Sequence, residues 1–172
     1  MAIAIAIDSR GGVFFLQIRV GKDNKDFKLF KFRTMRVGAE SKGQLTIGGN
    51  DSRITRVGYF LRKYKIDELP QLLNVLLGDM SLVGPRPEVR RYVAMYNAEQ
   101  MQVLSVKPGL TDYASIKYAD ESELLARAEN PEQFYIDSVM PDKLAINLEY
   151  IKNRSLGADM GILFKTIGKI LS

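Results

Sequence analysis

The stretch KIDELPQLLNVLLGDMSLVGPRPE, residues 65–88, decides how this sequence is read. Two adjacent carboxylates, Asp67 and Glu68, head a leucine-rich run. Pro70 falls in its first turn, where a missing N–H costs little. A helix arriving through Tyr64 should therefore break near Ile66, so that Asp67 starts a second helix running to Leu77. Leu69, Leu72, Leu73, Leu76 and Leu77 form its expected apolar side. An acid at such an N-cap, with another in the first turn, stabilises a helix by about 0.5–2 kcal/mol, which is one reading of the pair. The other uses the same geometry. With Arg62, Lys63 and Lys65 just upstream, the carboxylate stays ionised and can act as a nucleophile or hold Mg²⁺. Phosphoryl transfer needs that set: a positioned anion, a metal and cations around the transferred group.

Pro85 and Pro87 fix the backbone on both sides of Arg86, which readies its guanidinium for a phosphate or a flat base. The same tripeptide also reads as a helix-ending turn with an exposed arginine. DFKLFKFR (26–33) interleaves Lys28, Lys31 and Arg33 with three phenylalanines. A basic-aromatic surface for single-stranded nucleic acid is one reading. A strand with one face in the core is the favoured one, and alternation then places Lys31 and Arg33 together on a face that suits an anion.

Composition narrows the chemistry. The 172 residues are 46% hydrophobic and 26% charged, a globular balance that fits one domain burying roughly 70% of its unfolded surface. Cysteine and histidine are both absent. Their absence excludes disulfides, Ser-His and Cys-His nucleophilic systems, and zinc sites built on those ligands. A net charge of +5 favours an anionic partner such as a phosphorylated small molecule or an acidic membrane face. No P-loop and no G-x-G-x-x-G is present. No RNA-binding signature occurs either, so nucleic acid is not expected as a partner.

The remaining chain reads as helices with one hairpin. AIAIAI at the start suits an edge strand or the end of a longer apolar segment. Residues 13–35 read as two strands around a turn at Gly21 to Asp26, and residues 36–53 as a long Gly-rich loop over a ligand. Residues 88–104 read as helix, and 107–118 as a turn followed by a short extended piece. A long helix is expected from about Pro131 to Asn153. A last helix carries Met160, Leu163, Phe164, Ile167 and Leu171 on one side, and either packs on the core or lies on an anionic bilayer. The fold class is α/β in the α+β sense, a mostly helical single domain with a small N-terminal β-hairpin.

RVGKDNKDFKLFKFRTM, RITRVGYFLRKYKIDELPQLLNVLLGDMSLVGPRPE and KPGLT, in that order, resemble the bacterial sugar transferase family. These are monotopic phosphoglycosyl transferases that act on polyprenyl phosphate. The likeness runs from about Gly12 to about Leu171. It implies that residues 1–11 are the remnant of an apolar membrane segment, and 12–172 the catalytic domain on the cytoplasmic face of a bacterial inner membrane. It also implies that Asp67 attacks the sugar-bearing phosphate of a UDP-sugar donor and passes the phosphosugar to polyprenyl (undecaprenyl) phosphate. Surface glycan assembly begins with that step. Glu68 matches the partner that helps hold Mg²⁺, the family cofactor, and Asp67 and Glu68 form the metal pair. Lys31 and Arg62 match basic positions near the family's phosphate site, and Arg33 joins them as a phosphate-binding candidate on the strand alternation. Pro85, Arg86 and Pro87 match a motif associated with uridine. Where many members read P-G-[IL]-T-G-W-A-Q with an Arg shortly after, this chain has Asp112, Tyr113 and Ala119, and Lys117 is the candidate replacement cation. A non-catalytic anion-binding module that keeps the fold is the rival reading.

Overall fold

The computed structural model describes residues 1–39, 43, 45–48 and 51–171, with only the backbone of Leu171. The opening AIAIAI is not an edge strand but helix α1 (Ala2–Asp8), with Ile5 buried and Ile3 and Ile7 exposed. Alternating alanine explains the outcome, since alanine favours helix more than any other residue. The expected hairpin follows. Strands β1 (Phe14–Val20) and β2 (Asp26–Phe32) pair antiparallel, with Phe14 opposite Phe32 and Val20 opposite Asp26. Asp23 and Asn24 take left-handed φ of 56° and 60° in the turn, a conformation short polar side chains tolerate.

Residues 40–42, 44, 49 and 50 of the expected long loop lie outside the described residues. Arg53 gathers the described part, donating to the carbonyls of Gly43 and Leu45 at 2.6 Å each and pairing with Asp51. Helix α2 (Arg56–Lys63) starts at Thr55, whose hydroxyl accepts the Gly58 N–H at 3.0 Å. Gly58 is needed for packing, because a Cβ there would come within 2.1 Å of the Thr34 carbonyl oxygen. The chain breaks at Lys65, in the left-handed region at φ 55°, one residue before the expected Ile66. A 3-10 turn, Ile66–Glu68, leads into α3 (Gln71–Leu77), which ends at Gly78 with φ 87°.

The face of α3 is the largest departure from expectation. Its buried residues are Gln71 and Asn74, while Leu69, Leu72, Leu73, Leu76 and Leu77 are all exposed, Leu76 at 82%. The period is helical as expected, but the apolar side points away from the protein. The physical reason is the edge of β2. Asn74 accepts the Phe30 N–H at 3.0 Å and donates to the Lys28 carbonyl at 2.8 Å, satisfying strand groups that a leucine would leave unpaired.

Strand β3 (Ser81–Val83) pairs parallel with β4 (Gly109–Thr111), Ser81 opposite Gly109 and Val83 opposite Thr111. The pairing brings the backbones so close that a Cβ on Gly109 would lie 2.1 Å from the Gly84 nitrogen. In place of one helix over 88–104 there are α4 (Arg90–Val93) and a 3-10 turn, Gln100–Ser105. The short extended piece is β4, and it runs directly into α5 (Tyr113–Lys117). Helix α6 (Glu121–Ala126) is followed by α7 (Pro131–Phe134), a π-helical turn over Tyr135–Val139, and α8 (Met140–Asn153). Those last three make the expected long stretch. Helix α9 (Leu156–Leu171) closes the chain.

The main core joins Val89, Tyr92, Val103, Leu125, Tyr135, Val139, Met140, Leu144 and Leu148. A second cluster packs Ile162 of α9 on Val83 and Tyr150. Ile162 is the buried core contact of α9 and Leu163, from its expected apolar side, packs against the same cluster, whereas Met160, Phe164 and Ile167 of that side are exposed. Among the described residues, no helix is long and apolar enough to cross a membrane.

Candidate active site

The break at Lys65 places both carboxylates in a tight turn between α2 and α3. Asp67 is 7% exposed. It caps nothing: Lys65 occupies the N-cap of the 3-10 turn, Pro70 that of α3, and neither position has a side-chain cap bond. The helix-start reading of Asp67 is thereby overturned, because its carboxylate is not consumed by the backbone. Its Oδ1 is buried without any hydrogen-bond partner.

Glu68 is engaged where Asp67 is not. Its Oε1 accepts a hydrogen bond from Nη2 of Arg86, and Nζ of Lys31 lies 3.6 Å from the same oxygen. Burial alone would favour the protonated acid. The charges of Arg86 and Lys31 outweigh it and hold Glu68 well below the usual carboxylate range. Asp67 moves the other way, raised first by burial and then by the neighbouring Glu68 charge, against Lys31, Arg62 and Arg86. The adjacent acids thus have opposite environments. Burial pushes the Lys31 ammonium down to about 8, opposed by Glu68. The charge of Glu68 raises the Arg86 guanidinium against its burial.

Arg62 completes the cationic set. It donates from Nε to the Thr34 hydroxyl at 2.9 Å and from Nη1 to the Thr46 hydroxyl at 3.0 Å, and its charge acts on Asp67. Of the expected site residues, the structure brings Asp67, Glu68, Lys31, Arg62 and Arg86 together. Pro85 and Pro87 are buried and frame Arg86.

Two expected cations are elsewhere. Arg33 is buried and donates to the carbonyls of Ser9 at 2.7 Å and Arg10 at 2.6 Å, anchoring the link between α1 and β1. It follows the last residue of β2, so the strand alternation that paired it with Lys31 no longer applies. Lys117 is bound to Asp142 of α8 at 2.6 Å, an oxygen that also accepts the Tyr118 hydroxyl at 2.7 Å.

Sequence reasoning missed the support behind Arg86. Arg19 of β1 donates to the Pro87 carbonyl at 3.0 Å and to Oε1 of Glu88 at 3.1 Å. The other Glu88 oxygen accepts the hydroxyl of Tyr135 at 2.5 Å, and Tyr135 sits in the π-helical turn. Inward alternation of Arg19 along β1 and an acid directly after the two prolines were the available signals.

For a hard divalent cation the two acids are a fitting but incomplete set. They supply oxygen ligands and one orphan oxygen, and no cluster of three acids occurs among the described residues. Mg²⁺ suits such a pair, because it keeps several waters and takes substrate phosphate oxygens.

A family model described as bacterial sugar transferase matches residues 1–172. The UDP-N-acetylgalactosamine-undecaprenyl-phosphate N-acetylgalactosaminephosphotransferase of Aeromonas hydrophila is 42% identical over 177 residues, covering 99% of this chain and 38% of that protein. The UDP-glucose:undecaprenyl-phosphate glucose-1-phosphate transferase of Escherichia coli (strain K12) is 37% identical, covering 98% of this chain and 35% of that protein. The uncharacterized sugar transferase EpsL of Bacillus subtilis (strain 168) is 40% identical over 159 residues, covering 92% of this chain and 70% of that protein. The chain thus spans little more than a third of the length of the first two relatives.

Proposed function

The chain belongs to the bacterial sugar transferase family, and we propose that it transfers a phosphosugar from a UDP-sugar to polyprenyl phosphate through Asp67. A carboxylate oxygen of Asp67 attacks the phosphorus that carries the sugar. The bond from that phosphorus to the bridging oxygen breaks, and UMP leaves with the electron pair. Polyprenyl phosphate, of the undecaprenyl type named for the relatives, then attacks the same phosphorus. The bond to Asp67 breaks, which restores the carboxylate and yields polyprenyl-diphospho-sugar. As the first step of a capsule, exopolysaccharide or O-antigen, this reaction would begin a surface glycan.

The observation that carries the reading is the unpartnered, buried Oδ1 of Asp67, with Lys31, Arg62 and Arg86 acting on its charge. A nucleophile must be ionised; burial and the Glu68 charge raise the Asp67 carboxyl, and the three cations oppose that rise. They also offset the charge of an incoming diphosphate. Glu68 stays ionised under Arg86 and Lys31 and does not compete for the proton. Asp67 and Glu68 are the residues that would hold Mg²⁺, which would supply neutralisation of charge on the transferred group.

The exposed leucines of α3 and the exposed Leu156, Met160, Phe164 and Ile167 of α9 support a membrane surface as partner, on the cytoplasmic face where the lipid acceptor is reached. The test is Mg²⁺-dependent exchange of labelled UMP into a panel of UDP-sugars. Exchange with one sugar, lost in Asp67→Asn, supports the covalent step and names the donor. Exchange that survives Asp67→Asn sinks it.

A further inference from the structure

We infer that Asp112 is a positioning residue that locks the backbone of Arg86 and thereby sets its guanidinium against Glu68. This rests on the reading of the site given above. Proline has no N–H, so within Pro85-Arg86-Pro87 the only peptide donor belongs to Arg86. That N–H is given to Oδ2 of Asp112 at 2.8 Å. The second oxygen, Oδ1, accepts the N–H of Ser115 and caps α5.

Capping alone does not account for this residue. A five-residue helix needs one acceptor, which serine, threonine or asparagine supplies without a charge. Asp112 is instead a carboxylate with 0% exposure, and burying an ionised acid is expensive unless it is fully bonded. Its second bond crosses 26 residues of sequence to reach Arg86. The parallel pairing of β3 with β4 sets up the crossing, since each strand leads directly into one partner.

The other side of the tripeptide is held as well. Arg19 takes the Pro87 carbonyl, and Glu88 with Tyr135 holds Arg19 in turn. Between these two grips the Arg86 side chain reaches Glu68 and also donates to the Leu110 carbonyl at 3.4 Å. Asp112 thus fixes the peptide from which the guanidinium extends, and its negative charge supports that of Arg86. Asparagine is no equivalent. It offers one oxygen for two N–H groups and turns an NH₂ toward the other.

The test has two arms. In the first, amide hydrogen exchange is followed by NMR in the wild-type chain and in Asp112→Asn and Asp112→Ser. Both variants keep an acceptor for the α5 cap. The Arg86 amide should be strongly protected in wild type and lose protection at least 10-fold in both variants, with the amides of α8 unchanged. Equal protection of Arg86 in all three proteins overturns the lock. The second arm is a double-mutant cycle on the UMP-exchange rate. Asp112→Asn should slow exchange about 10- to 100-fold in wild type and have almost no further effect in Arg86→Ala. Equal slowing in both backgrounds shows a merely structural role and overturns the assignment. If wild type and Asp67→Asn are equally inactive with every UDP-sugar, the reading of the site has failed. The amide arm then still decides the lock.

Discussion

Helices α3 and α8 are built inside out relative to one another. In α8 the buried positions include Met140, Leu144 and Leu148, spaced four apart, while the charged Glu149 and Lys152 are exposed. That is the ordinary arrangement, apolar stripe inward and charge outward. In α3 the stripe of leucines faces out and the amides Gln71 and Asn74 face in. Hydrophobic burial holds α8, whereas α3 is held by polar bonds to a strand edge. The contrast marks where this fold gives up stability. The inverted helix carries Glu68 and Asp67 at its head, and its exposed apolar face gains nothing until another surface covers it.

Substitution of Asp67 separates activity from stability on the inverted side. Asp67→Asn should lower UMP exchange by at least about 10³-fold, the scale of removing a covalent nucleophile. Its thermal midpoint should stay equal or rise, because an incompletely bonded buried charge is removed. A fall in midpoint that matches the loss of exchange would mean Asp67 is structural. On the conventional side the relation reverses. Leu144→Ala should cost about 2–5 kcal/mol in urea unfolding, while the exchange rate per folded molecule is kept.

A finer contrast lies within α3. Asn74→Leu makes the helix more apolar and still should destabilise by about 1–3 kcal/mol, since the Phe30 N–H and Lys28 carbonyl lose their partner. Leu76→Gln should change stability by less than about 0.5 kcal/mol. Made together with Leu72→Gln and Leu73→Gln, it should reduce cosedimentation with phospholipid vesicles several-fold. If Asn74→Leu stabilises, the strand-edge account of the inversion is wrong.

The inversion also marks what the sequence could and could not tell. Spacing of leucines gave the helical period and extent of α3 to within a few residues, and Pro70 with Ile66 located the break. Period says which residues share a face and nothing about where the core lies, so the leucine side was misplaced. From the residues alone Asp67 and Glu68 read as a helix start or as chemistry; the family likeness favours chemistry, and the structure removes the cap reading by placing Lys65 and Pro70 at the N-caps. Lys31 and Arg62 were legible through the family likeness. Arg33 and Lys117 were misread because their partners, the carbonyls near Ser9 and the Asp142 carboxylate, lie far away in sequence. The β3–β4 pair and the Asp112 bond to Arg86 are also long-range, and no local pattern encodes them.

The smallest expected effect compares carboxylates that serve the two regions. Asp8 accepts the Val57 N–H at 2.7 Å and ties α1 to the start of α2, on the inverted side. Hydrogen bonds from Thr55 and then Val57 lower its carboxyl against a smaller opposing effect of burial. Asp142, on the conventional side, is lowered by its bonds from Lys117 and Tyr118. A carboxyl with a folded pKa below its unfolded value stabilises the protein above the unfolded value, about 3.9 for aspartate. That contribution is lost as pH falls through the folded value. The urea midpoint should therefore drop between pH 6 and pH 3, and less so in Asp8→Asn and in Asp142→Asn. Asp8 should account for the larger share, because it holds two elements together through a backbone N–H, whereas the Lys117–Asp142 pair is a half-exposed surface bridge screened by water and salt. An acid limb unchanged by Asp8→Asn but flattened by Asp142→Asn would place the acid sensitivity in the conventional half and reverse the comparison.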